Sequence, residues 1–281
     1  MASEPPVLEP SSQWHLDTGD ERCRLAREFG EGAAKHILFL EMDEPSAYVG
    51  FLLAGPAMEE LDLQVPVRLQ FGNLEPIVLD RHTQGSLEGY GAALMSTGIS
   101  LDENFPAELE ETGTNESSVT EAPKGLPRLA SERFTNVETL TIAQEDAEKA
   151  VLKLPSLHKA LEALNLCSED FITYWGLDLE QHRSMQRGPK WTNSQRVVRR
   201  IAANYPSAAL RKGEQGSVRF LLIIDETGQV EECRQSNVTL LDKLESPACK
   251  IMRRGEFEPA LDADGNPMRS YYASQIRYVL P

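Results

Sequence analysis

Few residues of this chain have the type and spacing to do chemistry. Asp17-Thr18-Gly19 sets a carboxylate on a tight loop, where a second carboxylate sharing its proton would make an aspartic-hydrolase pair. Asp20-Glu21 stands where such a loop carries a small residue, and no second apolar-Gly segment is evident. A surface turn is therefore expected, with an envelope hydrolase around Asp17 as the alternative function. Asp262-Ala263-Asp264-Gly265-Asn266 has the opening of a calcium loop, but the twelfth position, which needs Glu, is Ala273. A hairpin turn is expected there. His15, His36, His82, His158 and His182 lack metal-ligand spacing, and no two cysteines stand at Cys-x-x-Cys distance. Nucleophile elbows, phosphate loops and dinucleotide fingerprints are absent from the sequence, so neither metal, cofactor nor catalytic activity is expected.

The elements that position other functions are clearest in the last ninety residues. Ser217–Ile224 alternates Val218, Phe220, Leu222 and Ile224 on one strand face. Asp225-Glu226-Thr227-Gly228 follows, with Gly228 able to take the positive φ of a tight hairpin, and a second strand runs from Gln229. Leu241, Leu244, Ala248 and Ile251-Met252 predict a helix over Asp242–Arg254, its last turn carrying Lys250, Arg253 and Arg254. Pro259 ends helical structure, Gly265 with Pro267 turns the chain, and Ser270–Leu280 closes as a strand. The expected module is βαβ with an open sheet edge.

These residues resemble the C-terminal domain of the TonB energy transducers. The resemblance rests on Tyr205-Pro206, Gly216 with Val218, the Asp225–Gly228 hairpin, Leu241-Asp242, Phe257-Glu258-Pro259-Ala260 and Gly265-Asn266-Pro267, in that order and spacing. It implies a periplasmic domain whose last strand accepts an extended peptide, the TonB box of an outer-membrane receptor, by strand addition. The accepting strand would be Ser270, Tyr271, Tyr272, Ala273, Ser274, Gln275, Ile276, Arg277 and Tyr278, with side-chain pockets beside Tyr272, Ser274 and Ile276. The same edge could pair with a second copy, giving a homodimer. The chain departs from a complete transducer in having neither a run of about 18 to 20 apolar residues nor a long Pro-rich spacer. No leader opens it at Met1, so the periplasmic reading takes a signal peptide to have been removed or to lie outside this sequence.

A second domain is expected before this module, over residues 13–180, with 181–192 as linker and 193–281 as the C-terminal domain. Short runs near Trp14–Leu16, Cys23–Phe29, Lys35–Met42, Tyr48–Leu53, Val65–Phe71 and Ile77–Leu79 recur at about ten-residue spacing, which predicts an antiparallel sandwich or barrel. A helix is expected after Pro155-Ser156, with Ser156 as its cap and Cys167 on it. Residues 112–127 read as a mobile loop. The fold class is thus α+β in two parts. Cys23-Arg24-Leu25-Ala26-Arg27, with a Cys-bearing helix that runs into Trp175-Gly176, resembles N-terminal domains of secreted alphaproteobacterial proteins with TonB-like ends. That resemblance implies no activity.

The cysteines divide by domain. Cys233 falls on the second strand of the module and Cys249 on its helix, while Cys23 and Cys167 both precede the linker. Two disulfides and an oxidising compartment are expected, four buried thiols being the other possibility. The net charge of −16 is uneven: residues 191–281 hold 13 Lys+Arg and 11 Asp+Glu, against 15 and 33 for residues 1–190. A net charge of −16 argues against nucleic acid and against an anionic membrane surface as partners.

Overall fold

The computed structural model describes residues 5–19, 21–62, 64–80, 82–104, 124–204, 216–237 and 248–278. The chain divides into two compact units, one within Met1–Leu109 and Pro127–Tyr174, the other within Glu110–Leu126 and Trp175–Pro281. Both units mix strands with helix, so the class is α+β.

The N-terminal unit contains strands β1 (Val7–Leu8), β2 (His15–Thr18), β3 (Cys23–Phe29), β4 (His36–Met42), β5 (Tyr48–Ala54), β6 (Val67–Phe71), β7 (Ile77–Leu79), β8 (Thr83–Leu87), β9 (Gly91–Ser100), β10 (Thr139–Gln144) and β11 (Ala147–Lys153), then helix α1 (Leu157–Tyr174). They form a six-stranded sheet in the order β2-β3-β4-β5-β9-β8 and a five-stranded sheet in the order β1-β11-β10-β6-β7. Alternation explains the burial: in β3, Cys23, Leu25, Arg27 and Phe29 point inward and the residues between them are half-exposed. Arg27 is tolerated on that face because its guanidinium lies 5.0 Å over the Trp14 ring and donates to Pro155 O at 3.0 Å.

Two expectations change here. The pairing is not wholly antiparallel, since β1 runs parallel to β11, a contact between chain segments over 140 residues apart that no local pattern announces. Ser156 does not act as an extended N-cap. It sits at φ +63°, in the left-handed region, and supplies its carbonyl to Ala160 N–H at 3.3 Å. The expected mobile loop falls largely outside the described residues. Its end is described: Gly125 N–H donates to Met185 O at 2.8 Å, and Leu126 packs on Met185, Ala260 and Met268.

The C-terminal unit contains helix α2 (Leu179–Ser184), β12 (Lys190–Trp191), α3 (Ser194–Ala202), β13 (Gly216–Ile224), β14 (Val230–Asn237), α4 (Ala248–Met252), β15 (Phe257–Glu258), β16 (Ala260–Leu261), β17 (Pro267–Met268) and β18 (Ser270–Tyr278). Its main sheet has the order β14-β13-β18, antiparallel throughout. Phe220, Leu222 and Ile224 face a core closed by Val197 and Ile201 of α3 and by Ala248, Ile251 and Met252 of α4. Among the described residues two helices, not one, thus cover that face. The part of the predicted helix before Ala248 lies outside the described residues.

Residues 181–192 carry structure of their own. His182 and Met185 are buried, and β12 pairs antiparallel with β15. Trp191 stacks on Phe257 with ring centroids 5.7 Å apart. The polar composition that reads as a linker hides these contacts because each uses one buried or half-buried side chain among exposed neighbours. Both disulfides are formed, Cys23–Cys167 between β3 and α1 and Cys233–Cys249 between β14 and α4.

Candidate functional site

Strand β18 is held along its whole length by β13, from Gly216 opposite Tyr278 to Ile224 opposite Ser270. Among the described residues no strand pairs with its other side. An antiparallel edge presents alternate N–H and C=O groups outward, which is what an extended peptide needs in order to add as a further strand. Strand β14 is the opposite edge and is defended differently. It carries Glu231, Glu232 and Arg234, with Glu231 bonded to Arg269 at 2.6 Å and Glu232 to Arg234 at 2.7 Å, and its Cys233 is tied to α4.

The side chains of β18 divide by face. Tyr272 points into the core, against Phe257 at 5.2 Å and Trp191 at 5.7 Å between ring centroids, and burial pushes its phenol pKa up. Tyr272 therefore fills the core and does not flank a pocket for a ligand side chain. Tyr271 points to the opposite face, with its ring 5.0 Å from Trp175 and 6.1 Å from His182. Ser270 is buried and its hydroxyl meets His182 Nε2 at 3.1 Å. Ala273 and Ser274 are half-exposed, opposite Leu221 and Phe220. Gln275, Ile276, Arg277 and Tyr278 continue the pairing, opposite Arg219, Val218, Ser217 and Gly216.

The residues that carried the sequence resemblance are structural. Gly228 closes the β13–β14 hairpin at φ +82°, with Asp225 Oδ1 accepting from the Thr227 and Gln229 amides. Phe257 belongs to the core, Pro259 lies between β15 and β16, and Ala260 is buried beside Met185 and Met268. Gly216 and Val218 open β13. Tyr205, Pro206, Leu241 and Asp242 lie outside the described residues.

Residues 202–280 match the family described as Gram-negative bacterial TonB protein C-terminal. The C-terminal unit carries a TonB domain. No curated protein matches the chain. The match marks a TonB-like protein of the bacterial envelope, and among the described residues no helix is long and apolar enough to cross a membrane. Several partners of β18 lie outside the matched span: Trp191 on the core face, Trp175 and His182 on the other. Their sequence signal is faint, a lone aromatic or histidine in a polar run, and sequence reasoning assigned them no role at β18.

The hydrolase alternative rests on Asp17. Asp17 is exposed on edge strand β2, opposite Arg24. Glu44, between β4 and β5, has its carboxyl pushed up to about 7 by burial. A cleft of about 110 Å³ in this unit is lined by Phe71, Leu74, Ile77, Asp102 and Arg133 among others, Asp17 not among them, and Arg133 is spent on Glu103 at 3.0 Å. Asp262 organises a turn, its Oδ1 accepting from the Asp264 and Asn266 amides.

Proposed function

We propose that the C-terminal unit binds an extended peptide, such as the TonB-box segment of an outer-membrane receptor, as a fourth strand beside β18. The chain would then be a periplasmic, non-catalytic component linked to TonB-dependent transport, with the N-terminal unit supplying another contact. The observation that carries this reading is the contrast between the two sheet edges. β14 carries three charged residues, Glu231, Glu232 and Arg234, and a disulfide tether, which discourage strand pairing, whereas β18 carries one, Arg277. The family match supports the same assignment. Main-chain hydrogen bonds along β18 would supply the affinity. Selectivity would come from Ala273, Ser274 and the residues after them, since Tyr272 is committed to the core.

The test uses calorimetric titration of the oxidised protein with synthetic TonB-box peptides, together with Ala273→Pro and Ser274→Pro. Successive amides in a strand point to opposite sides, so one substitution removes a bond to β13 and the other an outward donor. The outward variant should keep its fold and lose at least about tenfold in affinity, the weight of one or two main-chain hydrogen bonds. Saturable binding unaffected in the folded outward variant would refute strand addition. Sedimentation of the same variants reports on self-pairing, because a homodimer built through β18 would dissociate with the same substitution.

A further inference from the structure

The chain has an excess of sixteen negative charges, yet the helical layer of its C-terminal unit carries the opposite sign. Residues 193–204, which include α3, hold Arg196, Arg199 and Arg200 and no Asp or Glu. Residues 248–255, which include α4, hold Lys250, Arg253 and Arg254, again without an acid. Packing explains the arrangement. Val197 with Ile201, and Ala248 with Ile251 and Met252, turn one side of each helix onto the sheet, which leaves all six cations exposed on the other. Both helices close the same core, so their outer sides adjoin.

Two of the six have acidic company: Arg196 lies 2.6 Å from Glu256, and Arg253 adds the smallest pull to a Glu232 carboxyl that Arg234 chiefly holds below its ordinary value. Among the described residues no carboxylate pairs with Arg199, Arg200, Lys250 or Arg254. Arg199 spends one donor on Gln195 O at 3.2 Å.

We propose that this helical face docks the C-terminal unit onto an anionic phospholipid surface. Five of the six cations are arginines, whose planar fork suits phosphate oxygens. The helices expose no large aliphatic or aromatic side chain among these cations, so the face lacks the seated apolar anchor on which protein partners rely. A plane of charge needs no such anchor. Charges more than about 8 Å apart are largely screened at physiological ionic strength, so the acidic surface elsewhere does not cancel a local patch. The net charge argues against membrane contact only when it is spread evenly, and here it is not. Each cation near an anionic bilayer strengthens binding by roughly fivefold. Docking through α3 and α4 would leave the open edge of β18 uncovered, so this inference stands whether or not peptides bind there.

Flotation of the full oxidised chain with phosphatidylcholine vesicles, with and without phosphatidylglycerol, tests the proposal. Binding should need phosphatidylglycerol and should vanish at about 0.5 M salt. Arg199→Glu with Arg200→Glu should lower the bound fraction by at least about tenfold. Lys159→Glu, exposed on α1 in the other unit, should leave it unchanged. Failure to float with phosphatidylglycerol, equal binding to both vesicles, or full binding by the folded double variant would each overturn the proposal. Capture by poly-glutamate without flotation would overturn it in favour of an acidic protein partner.

Discussion

His182 and Ser270 meet in the interior of the C-terminal unit, imidazole Nε2 3.1 Å from the hydroxyl, with both residues buried. The other ring nitrogen, Nδ1, lies 2.6 Å from the Asp178 carbonyl and must carry the proton. Nε2 is then the acceptor and the serine donates. This pair ties α2 to the first residue of β18, so the protonation state of one histidine bears on the candidate docking strand.

Burial pushes the His182 pKa below its ordinary value, against the opposing pull of the Asp178 carbonyl and carboxylate. Arg269, the residue before Ser270, has its charge engaged by Glu231 and donates to the Gly176 carbonyl. Folding thus favours the neutral ring. Its contribution is complete above the unfolded-state pKa of about 6.5, declines as pH falls toward the lowered folded value, and is flat below that. Hydrogen exchange over Ser270–Ser274, corrected for its intrinsic pH dependence, should quicken as pH falls below about 6.5. His182→Gln should flatten that profile. His36 is also lowered by burial, but it belongs to the N-terminal unit and is read from its own strands. A His182→Gln profile that keeps the full slope would assign the acid sensitivity of this segment to another group.

Gly228 and Gly265 both sit at strongly positive φ, +82° and +83°, and should respond differently to alanine. A Cβ on Gly228 would lie 1.8 Å from the Phe257 carbonyl oxygen, whereas one on Gly265 would meet nothing closer than Gln186 Nε2 at 3.6 Å. Phe257 N–H also donates to Gly228 O at 2.9 Å, so the hairpin and β15 cannot separate without losing a bond. Gly265→Ala should cost about 1 kcal/mol, the ordinary penalty of the left-handed region, and Gly228→Ala at least about 3 kcal/mol. Denaturant midpoints followed by the fluorescence of Trp175 and Trp191 give the comparison. Equal costs would mean that the close approach of Phe257 relaxes away.

Local chemistry accounts for the parts that were legible in the sequence. The β13–β14 hairpin was announced by alternation in Val218–Ile224 and by Gly228, and the N-terminal strands by turn residues at even spacing. The cysteine pairs followed from which element each residue occupies. Helix α3 was missed because its nine residues make barely two and a half turns, so the inward pair Val197 and Ile201 shows the helical spacing only once. The role of Trp175, His182 and Trp191 against β18 was missed for a related reason. Each contact joins residues 81 or more apart in sequence, and no periodicity encodes them. The edge strand itself was legible, but the division of Tyr271 and Tyr272 between two packed faces was not.

The two disulfides should differ in weight and in accessibility, and in opposite senses. Cys23–Cys167 spans 144 residues and Cys233–Cys249 spans 16. In the chain-entropy model the long loop contributes about 5 kcal/mol and the short one about 3 kcal/mol, so Cys23→Ser with Cys167→Ser should cost its unit more than Cys233→Ser with Cys249→Ser costs the other. Each pair lies within one unit, so the losses should be additive. Under limiting reductant the order reverses. Cys23 and Cys167 are buried, while Cys233 and Cys249 are half-exposed, so alkylation and peptide mapping should find Cys233 and Cys249 labelled first. Early labelling of Cys23 would mean that α1 lifts from β3 more readily than its burial implies, which would make the N-terminal unit the less stable of the two.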